Sequence, residues 1–284
     1  MDSREELWVA ENPFIRARED AESFSQDAQE LNIQWWENLP MTYIDWASSK
    51  RELTDTEAFA VLEKRFLDCN PWLRRNLDLP WFAGQRILEI GCGSGVASCM
   101  FAKAGAHVTA IDITEASVRM TKRCAEALEV QVDVHRMDAE HIYLDSNSFD
   151  YVFSWGVLHH SAHPRLAFKE LSRLLRPGGS GLVMVYNKLS LRYYLKGIFW
   201  LLTKGKMFSG ETLSTVQRFY TDGYYHQHFT PAELTRALSV IGLISNRISI
   251  THMGDKMLPY LPSKLDKYLI RKYGWLLVNE FVKH

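Results

Sequence analysis

The chain has 284 residues, of which 46% are hydrophobic and 24% are charged, and this composition is typical of a globular protein rather than a disordered one. Its 33 Lys and Arg residues against 34 Asp and Glu give a formal net charge of -1, which weighs against nucleic acid as the main partner. The longest apolar runs are far shorter than the roughly 20 residues that cross a bilayer, so we expect no integral membrane span.

The cysteines and the start of the chain predict a cytoplasmic location. The four cysteines, Cys69, Cys92, Cys99 and Cys124, form neither a Cys-x-x-Cys pair nor the framework of a disulfide-rich protein. The start of the chain is acidic and lacks the basic-then-apolar layout of a secretory signal. Both observations favour a reduced intracellular compartment.

Residues 1–84 are predicted to form a helical N-terminal segment without strands. Within it, a helix is expected over residues 55–77, because Phe59, Leu62 and Phe66 recur at helical spacing. Pro80 and Gly84 then interrupt the chain before the next section.

From residue 85 to residue 284 the pattern changes to alternating strands and helices. Such units predict an α/β fold class with a doubly wound, mostly parallel, seven-stranded sheet of the Rossmann-like type. The predicted strands cover residues 87–90, 107–111, 130–137, 151–154, 181–186, 243–251 and 274–282. A stretch rich in aromatic residues, about 187–229, is predicted to be a cap insertion.

Several residues mark where the helices of this section begin and end. Thr114 is predicted to cap one helix, and Pro164 to be the first residue of another that ends at residues 177–179. Thr230 and Glu233 have the spacing of a capping box.

A glycine-rich turn follows the first predicted strand, in the sequence Glu89-Ile90-Gly91-Cys92-Gly93-Ser94-Gly95. Glycines at such a turn let a ligand approach the backbone, and the following helix offers amide donors to an anion. The pattern alone also fits dinucleotide sites and plain tight turns. The dinucleotide pattern, however, needs a further glycine-like position where this chain has Val96.

With the acidic residue before its glycines, this turn resembles the first motif of the class I S-adenosylmethionine-dependent methyltransferases. The later motifs of that family follow in order, at Asp112, at residues 138–140, at residues 149–154 and at residues 174–179. The similarity covers about residues 86–187, and it is closest to the branch that acts on small metabolites and natural products. It implies that residues 85–284 bind S-adenosylmethionine as the cofactor.

The resemblance and the chemistry of this cofactor together suggest roles for residues near its methionine and ribose. Gly91, Cys92 and Gly93 would form the loop beneath it, and the small size of Cys92 matters more there than its thiol. Asp112 is expected to accept hydrogen bonds from both ribose hydroxyls, with a plain helix-capping role as the alternative. Glu89 would hold the methionine amine, and Ser154 would lie near the methionine end.

The same comparison suggests an adenine site. Ile113 is expected to pack on the adenine face, and Asp138 to accept a hydrogen bond from its amino group while the Ala139 amide donates to the ring. The alternative for Asp138 is an aspartate in a surface turn.

Five histidines are candidates for a general base, which is needed only if the acceptor must lose a proton. His159, His160 and His163 follow the fourth strand, and His226 and His228 lie at the end of the insertion. We select His160 as the catalytic residue, although relatives carry histidine at 159–160 without catalytic duty. No metal site is expected, because the histidines lack the carboxylate or cysteine partners typical of zinc sites.

The insertion has three possible interpretations. Its apolar and basic stretch at residues 190–202 could be a cap helix packed on the core. Alternatively, it could line an apolar acceptor pocket, or it could touch a membrane surface as basic amphipathic helices do. For the second interpretation, the expected neighbours are Trp35, Trp36, Tyr43 and Trp46.

The predicted function is methyl transfer from S-adenosylmethionine to a small, partly apolar metabolite, by a cytoplasmic enzyme that could form a homodimer. One alternative is a methyltransferase that acts on a membrane lipid or a macromolecule. The other is a non-catalytic subunit that binds S-adenosylmethionine, which should show damaged cofactor motifs, whereas the motifs here are intact.

Overall fold

The computed structural model describes residues 21–38, 55–203, 226–258 and 260–284, together with the isolated Leu213. Two of the predicted pocket residues, Tyr43 and Trp46, lie outside the described residues.

The centre of the protein is a single β-sheet. Its strands are β1 (Arg86–Ile90), β2 (His107–Asp112), β3 (Val132–Arg136), β4 (Phe149–Trp155), β5 (Leu175–Asn187), β6 (His228–Phe229), β7 (Leu243–Thr251) and β8 (Leu276–Lys283). Seven of them lie in the order β3-β2-β1-β4-β5-β8-β7, and the short β6 pairs with β5 off this path.

The pairing directions confirm a mostly parallel, doubly wound sheet. Strands β1 to β5 pair in parallel with one another, whereas β8 runs antiparallel to both β5 and β7. The predicted count of seven strands omitted β6, whose two residues pair with Tyr186 and Asn187 at the end of β5. A strand this short leaves no alternation of polar and apolar residues in the sequence.

Nine α-helices surround or extend the sheet in the described parts of the chain. They are α1 (Ala21–Asn38), α2 (Asp55–Cys69), α3 (Pro71–Asn76), α4 (Val96–Lys103), α5 (Glu115–Ala127), α6 (Pro164–Leu174), α7 (Leu191–Thr203), α8 (Pro231–Val240) and α9 (Ser263–Tyr273). Among these described helices, none combines the length and the apolar character needed to cross a membrane.

The predicted helix over residues 55–77 is divided in two. Asn70 separates α2 from α3, because Pro71 disfavours helical backbone at the residue before it. The Asn70 side chain donates to the Phe66 carbonyl oxygen at 2.9 Å and so satisfies one acceptor at the end of α2.

The predicted helix starts are confirmed, and one predicted end is wrong. Thr114 accepts a hydrogen bond from the Ser117 amide at 3.3 Å, and Thr230 and Glu233 form a complete capping box. Helix α6 begins at Pro164 but ends at Leu174, before residues 177–179. Strand β5 begins at Leu175, so the Pro-Gly-Gly sequence lies within the irregular first part of a strand.

Two hydrophobic cores lie on the two faces of the sheet. Alternate residues of β4 belong to different cores, with Phe153 and Trp155 in one and Val152 in the other. The first core also contains Phe66 of α2 and Trp72 of α3, so these helices of the N-terminal segment pack on the sheet. Because these helices share a core with the sheet, the boundary at residue 84 between a helical N-terminal segment and a cofactor-binding domain stays a prediction.

Candidate active site

A cavity of about 620 Å³ opens at the carboxyl ends of the central strands, where ligands bind in open α/β sheets. One half of it, the cofactor half, is lined by residues at the ends of β1 and β2 and by residues that follow β1, β2 and β3. The other half, the acceptor half, is lined by side chains from α1, β4, β5, α7 and the start of β8.

The glycine turn has the backbone shape that the sequence predicts. Gly91 has a φ of 81°, and a Cβ atom at this position would lie 2.2 Å from Cγ2 of Val157. Gly95 has a φ of 79°, and its Cβ would lie 2.7 Å from the Thr121 backbone. Both positions therefore require glycine, because the backbone is left-handed there and a side chain would have no space. Gly91, Cys92 and Gly93 of this turn line the cavity.

Asp112 lies at the end of β2 and lines the cofactor half of the cavity. Its Oδ2 accepts a hydrogen bond from the Gly93 amide at 3.0 Å, and its Oδ1 accepts from the Thr114 amide at 3.0 Å and hydroxyl at 2.8 Å. Burial raises the pKa of Asp112, while these hydrogen bonds oppose that rise. The N-cap of α5 is Thr114, so Asp112 does not serve as the helix cap itself.

Glu89 and Cys92 lie deeper in the same half. Burial raises the pKa of Glu89 to about 8, although the Ser98 hydroxyl donates to its carboxylate. Burial also raises the pKa of the Cys92 thiol well above its usual value, and the Thr121 hydroxyl donates to its sulfur at 3.2 Å. A thiol with a raised pKa is a poor nucleophile, so the small size of Cys92 remains its evident contribution.

The predicted adenine site contains a partner that the sequence did not indicate. Ile113, Asp138 and Ala139 all line the cavity. Gln29 of α1 donates to Oδ1 and Oδ2 of Asp138 at 3.1 and 3.0 Å, and its own oxygen accepts from the Ala162 amide at 3.0 Å. No described residue accepts a hydrogen bond from the Ala139 amide. This amide can therefore donate to a ligand, whereas Asp138 is shared with α1.

The structure does not bring Ser154 into the cavity. Its side chain is fully buried and donates to the Ile90 carbonyl oxygen at 3.1 Å. Strand β4 runs one residue beyond its predicted end, to Trp155, and Trp155 lines the cavity instead. Because side chains alternate along a strand, Ser154 faces the opposite side of the sheet.

Aromatic rings form much of the acceptor half. Trp35 and Trp36 of α1 line it, as the sequence predicts, together with Trp155, Tyr186 and Trp275. Arg192 of α7, which belongs to the insertion, also lines the cavity. This agrees with the second interpretation, in which the insertion lines an acceptor pocket. The outer face of α7 is exposed instead, with Leu195, Ile198 and Phe199 accessible to solvent.

Four of the five candidate histidines meet around Tyr186. The ring centroid of Tyr186 lies 4.0 Å from that of His159 and 5.6 Å from those of His160, His226 and His228. His160 lines the cavity and also contacts the Trp36 ring, with 5.0 Å between centroids. Strand β6 pairs His228 with Tyr186 of β5, and the Gln227 amide donates to the His159 carbonyl oxygen at 2.8 Å, so His226 and His228 lie beside the segment that follows β4.

Burial disfavours the charged form of three of these histidines. It lowers the pKa of His159 and of His226 well below the usual value, and it lowers the pKa of His228 to about 3. Neighbouring imidazoles lower all three pKa values further, and nearby Lys and Arg side chains also lower those of His226 and His228. Neither ring nitrogen of His159 has a hydrogen-bond partner in the described part of the chain.

His163 does not join the cluster. Its Nδ1 lies 2.9 Å from Oε2 of Glu140, and its amide donates to Oε1 of the same residue at 2.8 Å. Although burial alone would raise the pKa of Glu140, hydrogen bonds from Ser161 and His163 hold it below its usual value. This carboxylate joins the loop after β3 to the loop that carries His160, so it positions both sides of the cavity.

The described residues contain no group of three or more His, Cys, Asp or Glu side chains arranged to hold a metal ion. The polar atoms of the cofactor half suit a different ligand. A carboxylate for hydroxyl groups, a free amide for a ring nitrogen and a glycine turn for close approach fit a nucleoside with an amino acid arm.

Comparison with known proteins agrees with this geometry. Residues 88–183 match the family model of the methyltransferase domain. The ubiquinone biosynthesis O-methyltransferase of Maricaulis maris is 34% identical over 124 residues, which are 43% of this chain and 49% of that protein. The protein of the same name from Xanthomonas oryzae pv. oryzae is 30% identical over 164 residues, which are 52% of this chain and 67% of that protein. The match thus spans about half of the first of these relatives.

Solved structures share the fold. Geranyl diphosphate C-methyltransferase from Streptomyces coelicolor A3(2) superposes with a TM-score of 0.58 and 15% identity, over 90% of this chain and 98% of that one. An S-adenosylmethionine-dependent methyltransferase from Mesorhizobium loti gives a TM-score of 0.54 and 20% identity, over 75% of this chain and 96% of that one. From its motifs, its fold and these relatives, the chain belongs to the class I S-adenosylmethionine-dependent methyltransferases.

Proposed function

We propose that the protein transfers the methyl group of S-adenosylmethionine to a small, partly apolar acceptor. The observation that carries this proposal is the continuity of one cavity, which has polar cofactor residues in one half and aromatic rings in the other. Such a cavity holds a donor and an acceptor next to each other. Bringing two bound partners together can lower a barrier by about 7 kcal/mol or more.

The cofactor supplies an electrophilic methyl group on a sulfonium cation. Its transfer would be an in-line displacement, in which a lone pair of the acceptor takes the methyl carbon and the electrons of the carbon–sulfur bond return to sulfur. Asp112 would hold the ribose, Glu89 the methionine amine, and Ile113 and Ala139 the adenine. The turn of Gly91, Cys92 and Gly93 would admit the methionine arm.

His160 is the proposed general base for an acceptor that must lose a proton. It is the histidine of the cluster that lines the cavity, and its position between Trp36 and Tyr186 would keep it against a bound aromatic or apolar group. The names of the curated relatives, which are O-methyltransferases, favour a hydroxyl as the acceptor group. A hydroxyl is also the acceptor for which a base is most useful.

The partners and the location belong to the same proposal. We propose that the protein is cytoplasmic and has no nucleic acid partner. We also propose a homodimer, which light scattering of the full chain would detect. Peripheral contact with a membrane is supported by the exposed Ile198 and Phe199. Co-sedimentation with anionic liposomes, compared between the wild type and an Ile198→Ser/Phe199→Ser variant, tests that contact.

Isothermal titration with S-adenosylhomocysteine tests the cofactor site directly. We expect one site per chain, and binding of a pyridine dinucleotide in its place would contradict the proposal. Incubation with methyl-labelled cofactor and a metabolite extract, followed by mass spectrometry, then identifies what gains the label. A protein that binds the cofactor and labels no metabolite would support the non-catalytic alternative.

A further inference from the structure

One face of α1 contacts both halves of the cavity. Gln29, Asn32 and Trp36 follow one another at helical spacing, so their side chains lie on the same side of the helix. All three line the cavity. Gln29 contacts Asp138 in the cofactor half, whereas Asn32 and Trp36 contact His160 in the acceptor half. The helix thus joins the predicted adenine site to the proposed base.

Gln29 bridges two loops that follow different strands. Its Nε2 lies 3.1 Å from Oδ1 and 3.0 Å from Oδ2 of Asp138, in the loop after β3. Its Oε1 accepts a hydrogen bond from the Ala162 amide at 3.0 Å, in the loop after β4. Because an ionised carboxylate only accepts and a backbone N–H only donates, the bridge needs a side chain that does both, as a primary amide does.

Glu140 joins the same two loops a second time. Its amide donates to Oδ1 of Asp138 at 2.9 Å. Its buried side chain accepts hydrogen bonds from the His163 amide at 2.8 Å and from the Ser161 hydroxyl. Together with the bridge through Gln29, these bonds form a closed ring that runs from Asp138 to the loop after β4 and back. Asp138 therefore cannot move without disturbing that loop.

His160 directly precedes the residues of this ring and is held by the same face of α1. The Asn32 side chain donates to the His160 carbonyl oxygen at 2.6 Å, and both residues are buried. The Trp36 ring lies edge-on to the imidazole, with 5.0 Å between centroids. A shift of Gln29 and its helix would thus reach both the backbone and the ring of His160.

We propose that Gln29 is a positioning residue that couples recognition of the adenine amino group to the placement of His160. An amino group that donates to Asp138 would share this carboxylate with Gln29. The ring of hydrogen bonds and the face of α1 would then pass the resulting shift to the base. This inference rests on the proposed function, because it needs adenine at Asp138 and an acceptor beside His160.

Two ligands that differ at one position of the purine isolate the amino group. They are S-adenosylhomocysteine and its 6-deamino analogue, in which hydrogen replaces the amino group. Each saturates the full chain labelled with ¹³C at the histidine Cε1 atoms, and the His160 signal is identified by its loss in His160→Asn. In the wild type, we expect this signal to differ between the two complexes by more than its linewidth.

Gln29→Met keeps a side chain of similar length and removes both hydrogen bonds. In this variant the two complexes should give the same His160 signal. Isothermal titration should also show that the preference for S-adenosylhomocysteine over the analogue falls by about threefold or more, because Asp138 loses the donor that orients it. A structural role of Gln29 alone would leave the response to the amino group unchanged.

Two further variants support the comparison. Gln34→Met makes the same substitution at an exposed position of α1 and should retain both the difference in the His160 signal and the preference. Gln29→Glu keeps an acceptor for the Ala162 amide but places a second carboxylate against Asp138. It should therefore also remove the difference, and it decides the question if Gln29→Met does not fold by circular dichroism.

The results separate this inference from the proposed function. Identical His160 signals in the two wild-type complexes would overturn it, and so would a difference or a preference that survives unchanged in the folded Gln29 variant. It would also be overturned if that variant failed to bind S-adenosylhomocysteine at millimolar concentration, because Gln29 would then be needed for binding itself. A wild-type protein that failed to bind S-adenosylhomocysteine would instead contradict the proposed function.

Discussion

The amide of Gly93 donates a hydrogen bond to Oδ2 of Asp112 at 3.0 Å, although the two residues are 19 positions apart. This bond joins the turn after β1 to the end of β2, and the hydroxyl and amide of Thr114 hold the other carboxylate oxygen. The glycine turn therefore fixes the orientation of Asp112, and the Asp112 carboxylate would bind a ribose beside this turn. A carboxylate held in this way loses little conformational freedom when a ligand binds.

Replacement of Asp112 by alanine should weaken both S-adenosylmethionine and S-adenosylhomocysteine more than tenfold. The physical reason is the loss of charged hydrogen bonds, each worth about 1.5–3 kcal/mol. Isothermal titration measures the change. Asp133→Ala is the matched control, because Asp133 is an exposed aspartate of β3. Unchanged affinity in the Asp112 variant would remove its ribose role.

Gly91→Ala should abolish cofactor binding. The new methyl group would lie 2.2 Å from Cγ2 of Val157, and the backbone would retain a φ of 81°. Left-handed backbone alone costs of order 1–3 kcal/mol at a non-glycine residue. Gly84→Ala provides the control for that cost, because Gly84 has a φ of 75° and open space around it. If both variants bind S-adenosylhomocysteine equally well, the collision with Val157 is not decisive.

His160→Asn should lower turnover by about 100- to 10,000-fold if the acceptor is a hydroxyl that His160 deprotonates. The affinity for S-adenosylhomocysteine should stay within a factor of a few, because the cofactor residues lie in the other half of the cavity. Steady-state rates with the identified acceptor measure the first effect and titration the second. His141→Asn, on the exposed turn after Asp138, is the control. Full activity of His160→Asn would exclude the histidine as the base.

The buried histidines should make the protein less stable in acid. His228 has a pKa of about 3 in the folded protein, and burial lowers the pKa of His159 well below 6.5. Below about pH 6.5 the unfolded chain takes up protons that the folded cluster does not. The free energy of unfolding should thus fall as the pH decreases from about 6.5 towards 3.

His159→Leu tests this linkage at one residue. Urea unfolding at pH 7.5 and pH 5.5 should show a smaller loss of stability for the variant than for the wild type. At pH 7.5 the variant should be at least as stable, because burying two unpartnered ring nitrogens costs about 1–3 kcal/mol each. His107→Leu is the exposed control. If the variant lost as much stability between pH 7.5 and pH 5.5 as the wild type, groups other than His159 would cause the loss.

Gln29→Glu should loosen α1 from the sheet. The new carboxylate would face Asp138, whose oxygens lie 3.0 and 3.1 Å from the Gln29 amide nitrogen, and like charges at this distance repel. Limited proteolysis should cleave α1 faster in this variant than in the wild type. Glu30→Gln changes the neighbouring exposed residue and should leave the rate unchanged. Equal cleavage rates for Gln29→Glu and the wild type would show that the contact does not hold α1.

The parts of the site that could be predicted are those that depend on short stretches of chain. The turn at Gly91 and the position of Asp112 follow from strand, turn and helix signals within about two dozen residues. Glycine is the residue that tolerates such a backbone, and the end of a parallel strand points to the binding edge. The cofactor half was therefore largely accessible to sequence reasoning.

The parts that were missed depend on pairing between distant segments. His226 and His228 reach His160 through β6 and through the bond from the Gln227 amide to the His159 carbonyl oxygen, and the two residues of β6 carry no periodic signal. Gln29 and Asp138 are 109 positions apart, and nothing in the local sequence of either indicates the other. Ser154 was misplaced for a different reason. The predicted strand ended at Ser154, whereas β4 ends at Trp155, and neighbouring side chains of a strand point to opposite faces, so Trp155 lines the cavity and Ser154 does not.

The antiparallel strand β8 has a consequence for how the protein is made. The cofactor half is built from residues before position 140, whereas Trp275, which supports the acceptor half, is synthesised more than a hundred residues later. During synthesis, the residues that would contact the nucleoside are thus all in place in the chain before the wall for the second substrate, begun by Trp35 and Trp36, is complete.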